Sequence, residues 1–424
     1  MLTGIKSFDE QLISPYLLAM EDFLKIKKAC DHNTALSVAI LDRFLLSYAT
    51  EKDKLGKEAD QKLQAYRHIT DRFGRQWYDM LKSQYIIHRL MKDGGLITKY
   101  LKHSTINNLE KEKLDWMAFQ SANPWRFSFA EIKEQPEKDF YQMEDVFTGE
   151  NYLLYSPSIK DIIDRDGDKE LWFNLIGFNG SCWQTYGPLS GYASFSPDDI
   201  YFFATEVNPM IEDEGALMED VQKNPVPYMM LFAGSTQQPV VHEGETLVMV
   251  ISEEKASIPQ VQEMEQAFNI SYTGGVYRLG LHEREASPHF AVAYYNEKEQ
   301  TIQATALTEK GFEAIIDALN KFGLSMDKIA DIYLRPSMQQ TAQEILKKEI
   351  ELMPLELLFE PDAEEASDQE LKKLDELARL AVTAITSERE PNLEALAAEV
   401  GIDLESNRFV VEKIISDLKE KVKK

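Results

Sequence analysis

Cysteine is nearly missing from this 424-residue chain, which carries only Cys30 and Cys182. Two thiols in segments assigned to different domains argue against a disulfide framework, and such sparse usage fits a reducing cytoplasm. Long apolar runs are missing too. No stretch approaches the roughly 18 consecutive apolar residues that a membrane helix needs. The opening residues, Met1-Leu-Thr-Gly-Ile-Lys-Ser-Phe-Asp-Glu10, lack the apolar centre of a signal peptide. The expectation is a cytoplasmic protein with no membrane partner.

Basic residues are the next shortage. Lys and Arg total 46 against 72 Asp and Glu, a net charge of −26. The deficit is uneven: about +3 over residues 1–120, about −23 over 121–360 and about −6 over 361–424. An acidic body opposes phosphate-backbone binding, so nucleic acid is not an expected partner. The same charge keeps the chain soluble by self-repulsion and would attract a basic protein surface.

Catalytic motifs are missing as well. There is no Gly-x-Ser-x-Gly elbow, no P-loop and no Gly-x-Gly-x-x-Gly after a strand. Asp164-Arg-Asp-Gly-Asp168 has the alternating carboxylates of a calcium loop, but Lys169 stands where that loop needs Gly and Leu175 where it needs Glu. It reads as a solvated turn. His242-Glu-Gly-Glu245 and His282-Glu-Arg-Glu285 lack the second His of a zinc-protease helix, since Thr246 and Ala286 occupy those places. Convergence of His242, His282 and His289 on adjacent strands would still suit zinc. Otherwise no cofactor is expected.

What the chain has in excess is aromatic residues in one block. Between Trp125 and Phe203 lie 18 of its 44 Phe, Tyr and Trp residues, which marks a strand-rich module between helical segments. Trp125, Phe127 and Phe129 alternate with Arg126 and Ser128. Asn151–Tyr155, Leu171–Gly177 and Ile200–Phe203 read as further strands, and Asn179-Gly180 as a hairpin turn. Acidic company and strand alternation predict that most of these aromatics form a core. Trp183 and Tyr186, beside the hairpin turn, are the candidates for a binding surface.

Around that block the periodicity is helical. Leu36, Ile40 and Phe44, widened by Leu41, Leu45 and Tyr48, form one apolar stripe; Leu63 to Leu81 continue a second, stopped at Asp93-Gly94-Gly95. Residues 207–235 read as irregular and 258–269 as helical. Phe290–Tyr295 and Thr301–Thr305 read as a strand pair, and Thr308 and Ser337 as helix caps. Glu360-Pro-Asp-Ala-Glu-Glu-Ala-Ser-Asp368 reads as an acidic linker. Leu393–Ile402 has the spacing of a helix-turn-helix start. Asn407 stands where the second helix should be apolar, so a helical hairpin for docking or dimerisation is expected.

Asp145-Val-Phe-Thr-Gly-Glu150, Tyr152-Leu-Leu-Tyr155, Gly187-Pro-Leu-Ser-Gly191 and Phe195 resemble a small β module of uncharacterised bacterial proteins, some of which carry a SEC-C zinc tail. The resemblance implies a bacterial origin and an accessory β domain. The zinc tail is not carried over, because no Cys follows Cys182.

The expected fold class is α+β. It comprises a helical N-terminal domain (1–120), an antiparallel aromatic-rich β module (121–206), a mixed α/β region (207–358) and a linker with a helical tail (359–424). The expected function is a non-enzymatic interaction or accessory protein with a protein partner. The alternatives are a metal-dependent hydrolase at the three histidines and a nucleic-acid-associated regulator through the tail.

Overall fold

The computed structural model describes residues 13–103, 109–257, 261–324, 326–350, 368–386 and 393–402. The fold is α+β, with helices at both ends and sheets between them. The chain divides into two compact units, Met1–Ser271 with Tyr277–Glu351, and Tyr272–Val276 with Leu352–Lys424. The expected 1–120 and 121–206 segments fall in the first unit, and the expected 207–358 segment is divided between the two. Among the described residues no helix is long and apolar enough to cross a membrane.

The first unit opens with helix α1 (Ile13–Ser37), which runs through a π-helical stretch, Val38–Leu45, into α2 (Leu46–Glu51). On α1, Phe23, Ile26, Cys30, Asn33 and Ser37 recur three or four residues apart and form one inward stripe. The wider π turn re-aims that stripe, so that Ile40, Leu41, Leu45 and Ala49 are buried next. The side chain of Phe44 lies outside the described residues. Five helices follow: α3 (Leu55–Gln64), α4 (Arg67–Phe73), α5 (Arg75–Met91), α6 (Ile97–Tyr100) and α7 (Lys111–Ala122). The central one is α5, with Leu81, Gln84, Tyr85, His88 and Leu90 all buried.

The aromatic block folds as a closed five-stranded barrel. Its strands are β1 (Arg126–Glu137), β2 (Phe140–Asp145), β3 (Asn151–Tyr155), β4 (Leu171–Phe178) and β5 (Trp183–Tyr192), hydrogen-bonded in the order β1-β2-β3-β5-β4. All neighbours are antiparallel except β3 and β5. Helix α8 (Pro157–Asp166) connects β3 to β4. This order, with its one parallel pair and its helix after the third strand, is the Greek-key arrangement of an OB-fold. Alternation divides the aromatics between two cores. Tyr141, Tyr152 and Trp172 pack with Ala130, Met143, Leu154 and Ile176 inside the barrel. Phe127, Phe129 and Phe173 stack on its outer face, where His88 of α5 packs on Phe127 and Tyr228 on Phe129.

Two sequence expectations change here. Ile200–Phe203 is not a strand but part of α9 (Pro197–Val207). Ser196 and Asp199 form a reciprocal capping box and Pro197 occupies the first turn, so the residues that read as a turn are a helix start. The stretch read as irregular contains α10 (Glu214–Lys223), capped by Asp213, α11 (Pro225–Met229) and a 3-10 turn, Met230–Gly234. Its prolines open a helix rather than break one.

A second, six-stranded sheet completes the unit. After the small ribbon of β6 (Val241–His242) and β7 (Glu245–Thr246) come β8 (Met249–Lys255), β9 (Phe268–Thr273), β10 (Val276–Leu281), β11 (Val292–Asn296) and β12 (Thr301–Ala306). Helix α12 (Glu309–Lys321) and β13 (Ile332–Leu334) follow, then α13 (Pro336–Leu346). The sheet order is β13-β8-β12-β11-β10-β9. Thr308 caps α12 as expected, and Phe312, Ile315, Ile316 and Leu319 pack on Val250, Ile302, Ala304 and Ala306. The described part of the 258–269 stretch holds a 3-10 turn, Val261–Gln266, before β9 begins. Ser337 lies inside α13 rather than capping it, and its hydroxyl donates to Ser194 O at 2.9 Å.

In the second unit α14 (Asp368–Thr386) and α15 (Leu393–Val400) pack through Leu377 and Ala381 against Leu393, Leu396, Val400 and Ile402. Gly401 closes α15 in the left-handed region, with φ of 70°. The linker residues 360–367 and the end of the tail, Asn407 included, lie outside the described residues.

Candidate functional site

An open trough forms where the β2–β3 turn, α9 and the lead into β13 meet. One part, of about 570 Å³, is floored by Val146, Phe147, Tyr201, Phe202 and Tyr333. The second, of about 290 Å³, continues over Val250 and Phe312 and shares Asp198, Ile329, Ala330 and Tyr333 with the first. Ile329 stands at the junction with 77% of its surface exposed. Asp198, Glu206, Glu214, Asp331, Glu309 and Glu313 line the trough, against the single cation Lys328. Lys328 is itself held by Asp317 at 2.9 Å.

The walls are fixed by buried polar contacts. Asp145 Oδ1 accepts the backbone N–H groups of Phe147 and Thr148 at 3.2 and 3.0 Å, which sets the β2–β3 turn. Asp199 is fully buried under the cap of α9, where it accepts the Ser196 N–H at 2.8 Å. Its other oxygen accepts the Arg335 N–H at 2.8 Å, so the start of α9 is tied to the end of β13. Arg335 Nη1 then donates to Glu170 at 2.8 Å, next to β4. Burial pushes the Asp199 carboxyl up to about 6, against the opposing pull of these hydrogen bonds and of Arg335. Tyr333 Oη donates to Glu309 at 2.5 Å and crosses the trough floor. The result is an apolar floor under a rim of mostly exposed carboxylates, of which Glu206 is paired with Lys348 at 2.5 Å.

Trp183 and Tyr186 belong to a different place. Trp183 is half-buried on β5, with the Arg126 guanidinium 5.2 Å above its ring. Tyr186 is packed between secondary elements instead of facing a ligand. Its ring stacks on Trp125 at 3.7 Å, and its hydroxyl accepts a hydrogen bond from Asn33 Nδ2 at 2.7 Å. Burial holds its phenol well above the ordinary range. Helix α1 covers the outer face of β2 and β3, where an OB-type barrel carries its ligands. Phe23 packs on Phe140 at 5.1 Å, Lys27 donates to Tyr155 Oη at 3.3 Å, and Asn33 reaches Gln184 at 2.8 Å. That face of the barrel is filled by the chain itself.

The three histidines have separate engagements. His242 Nε2 lies 2.9 Å from Ser287 Oγ, and His282 Nε2 lies 3.2 Å from Glu265 O. His289 is buried between Thr308 Oγ1, 2.6 Å from Nδ1, and the Arg284 guanidinium at Nε2. Burial and then that guanidinium push the His289 imidazole below its ordinary value. A cation at the coordinating nitrogen opposes a metal ion there. Among the described residues no group of three or more His, Cys, Asp or Glu is placed to hold one.

The trough was not legible as a site in the sequence. Its acids come from α9, α10, α12 and the approach to β13, which the topology alone brings together. The available signal was Ser196-Pro-Asp-Asp199, whose capping-box spacing would have placed Asp198 at a helix start. The chain matches no protein-family model, no curated protein and no solved structure.

Proposed function

We propose that this protein is a non-enzymatic cytoplasmic accessory protein that docks a cationic, apolar-anchored segment of a protein partner in the trough between the barrel and the second sheet. The observation that supports it is the pairing of an apolar floor with six carboxylates and one lysine. A segment carrying Lys or Arg around a large apolar side chain complements both features. Electrostatic attraction would speed its arrival, and burial against Ile329, Phe147 and Tyr333 would hold it. The covered outer face of β2 and β3 leaves the barrel as a scaffold for this trough. Fold likeness to oligonucleotide-binding barrels therefore supplies no argument for nucleic acid.

The test uses the full chain and a labelled peptide alternating lysine and leucine. Binding is read by fluorescence anisotropy, and its place by hydrogen-exchange protection over residues 146–147, 197–206 and 329–333. Ile329→Ser leaves the net charge unchanged and should weaken binding about tenfold or more. Binding that survives this change, or protection spread evenly over the acidic surface, would mean diffuse charge attraction and would overturn the proposal.

A further inference from the structure

Helix α1 and the β4–β5 hairpin meet at the chain's only two thiols. Cys30 Sγ and Cys182 Sγ lie 3.3 Å apart, although the residues are 152 positions apart in sequence. Both are free and buried, at 0% and 2% exposure. Phe23, Ile26, Phe140, Leu153 and Tyr155 pack around them. A disulfide bond is about 2.05 Å long, so the sulfurs need to close by little more than an ångström.

The surroundings distinguish the two sulfurs. Asn179 Nδ2 donates to Cys30 Sγ at 3.2 Å and stands 3.6 Å from Cys182 Sγ. Its own carbonyl oxygen accepts the Ser181 and Cys182 N–H groups at 2.8 and 2.9 Å, which fixes it in the hairpin turn. Hydrogen bonds from Cys182 and Asn179 favour the Cys30 thiolate and pull its pKa below the ordinary thiol value. Cys182, facing that developing charge and buried, is pushed up and keeps its proton. Asn179 also lines an open groove of about 610 Å³ between α1 and α7, together with Asn33, Trp116 and His32. The thiols are therefore one side chain, Asn179, away from an open groove.

We propose that Cys30 and Cys182 form a reversible disulfide on exposure to a hydroperoxide, covalently fastening α1 to the barrel. The Cys30 thiolate attacks one peroxide oxygen. The O–O bond breaks, and the departing oxygen leaves as water after taking up a proton, or as an alcohol from an organic peroxide. Cys30 becomes a sulfenic acid. The Cys182 sulfur then attacks Cys30 Sγ, its proton passes to the leaving hydroxyl, and a second water departs. Two thiols lose two electrons in all and the peroxide gains them. A dithiol reductant restores both thiols.

The test is made on the full chain. Reduced protein is treated with hydrogen peroxide, quenched, and analysed by thiol titration under denaturing conditions and by intact mass. The expected product is a monomer that has lost two hydrogens and both titratable thiols. With only two cysteines, an intramolecular link has one possible pairing. Its melting temperature should rise by on the order of 5 °C and return on reduction. In Cys182→Ser the second step is blocked, so a sulfenic-acid probe should label Cys30. Thiols that stay free under conditions that oxidise a small-molecule thiol would overturn the proposal. So would oxidation only to disulfide-linked dimers or to irreversible acids. The wild-type readout stands even where a serine variant folds poorly.

Discussion

Trp125, one residue before β1, stacks on Tyr186 of β5 with ring centroids 3.7 Å apart and no room to spare. A Cβ built on Gly177 would lie 2.6 Å from the Trp125 ring. The indole is anchored by a hydrogen bond from Nε1 to Gln120 Oε1 at 2.6 Å, and the Trp125 backbone N–H donates to Met91 O at 2.9 Å. It cannot retreat. Gly177→Ala should therefore destabilise the fold by about 1–3 kcal/mol through overpacking. Urea unfolding followed by tryptophan fluorescence measures this, and a change below the error of the midpoint would show that Trp125 is free to move.

Asn33 links α1, α7 and β5. Its amide donates to Gln184 and Tyr186 at 2.8 and 2.7 Å and accepts from Trp116 Nε1 at 2.7 Å. Asn33→Leu keeps the volume and leaves buried donors and acceptors without partners. The expected cost is about 2–4 kcal/mol. Amide exchange should quicken first along α1, because this contact is part of what seats it on the barrel. Unchanged exchange in α1 would contradict the role given to Asn33.

Two buried groups give the stability a pH dependence with opposing signs. Burial, above all, lowers the His88 imidazole to about 3 from 6.5. Between those values the unfolded chain binds a proton that the folded chain refuses. Its contribution is complete above about pH 6.5 and is lost toward acid at about 1.4 kcal/mol per unit. Asp199 is raised to about 6 from 3.8, so in that narrower window the folded chain holds a proton that the unfolded chain has given up. Its contribution is greatest in acid and falls as pH rises through about 6. His88→Gln should flatten the decline in urea midpoint from about pH 7 to about pH 4, and Asp199→Asn should steepen it. Equal slopes in all three proteins would refute both assignments.

The aromatic block shows how far the sequence could be read. Alternation at Phe127 and Phe129 and the Asn179-Gly180 turn announced strands and a hairpin, and both are present. The strand pattern fits a small antiparallel sheet or a barrel equally, because closure depends on the parallel pairing of Leu154 and Tyr155 with Trp183 and Gln184, which no local signal encodes. Burial on both faces of β1 was hidden for the same reason: the residues that cover it, His88, Gln222 and Tyr228, are distant in sequence. Phe202 and Phe203 were misread because β-prone aromatics outweighed the cap at Ser196, a case of propensity overruled by a helix start. The thiol contact lies beyond any reading of spacing, since Cys30 and Cys182 are joined only by the seating of α1. The trough's carboxylates were visible as charge, but the floor of Phe147, Ile329 and Tyr333 exists only in the folded chain.

Charge reversal separates the rim of the trough from its floor. Glu214→Lys together with Glu313→Lys places two cations where a cationic segment would lie. Both carboxylates are exposed, so the variant should unfold at a midpoint close to that of the parent. Its affinity for the lysine–leucine peptide should fall about tenfold or more, with a shallower dependence on salt. Parent-like affinity would remove the rim from the account.

The most direct test of the central claim is the location of the bound peptide. A lysine–leucine peptide carrying a photo-reactive leucine analogue is cross-linked to the full chain at low and at physiological salt, and the adducts are mapped by mass spectrometry. The account predicts adducts concentrated on Phe147, Tyr201, Ile329 and Tyr333, persisting at the higher salt because apolar burial holds the anchor. Adducts scattered over the acidic surface and lost at the higher salt would contradict it.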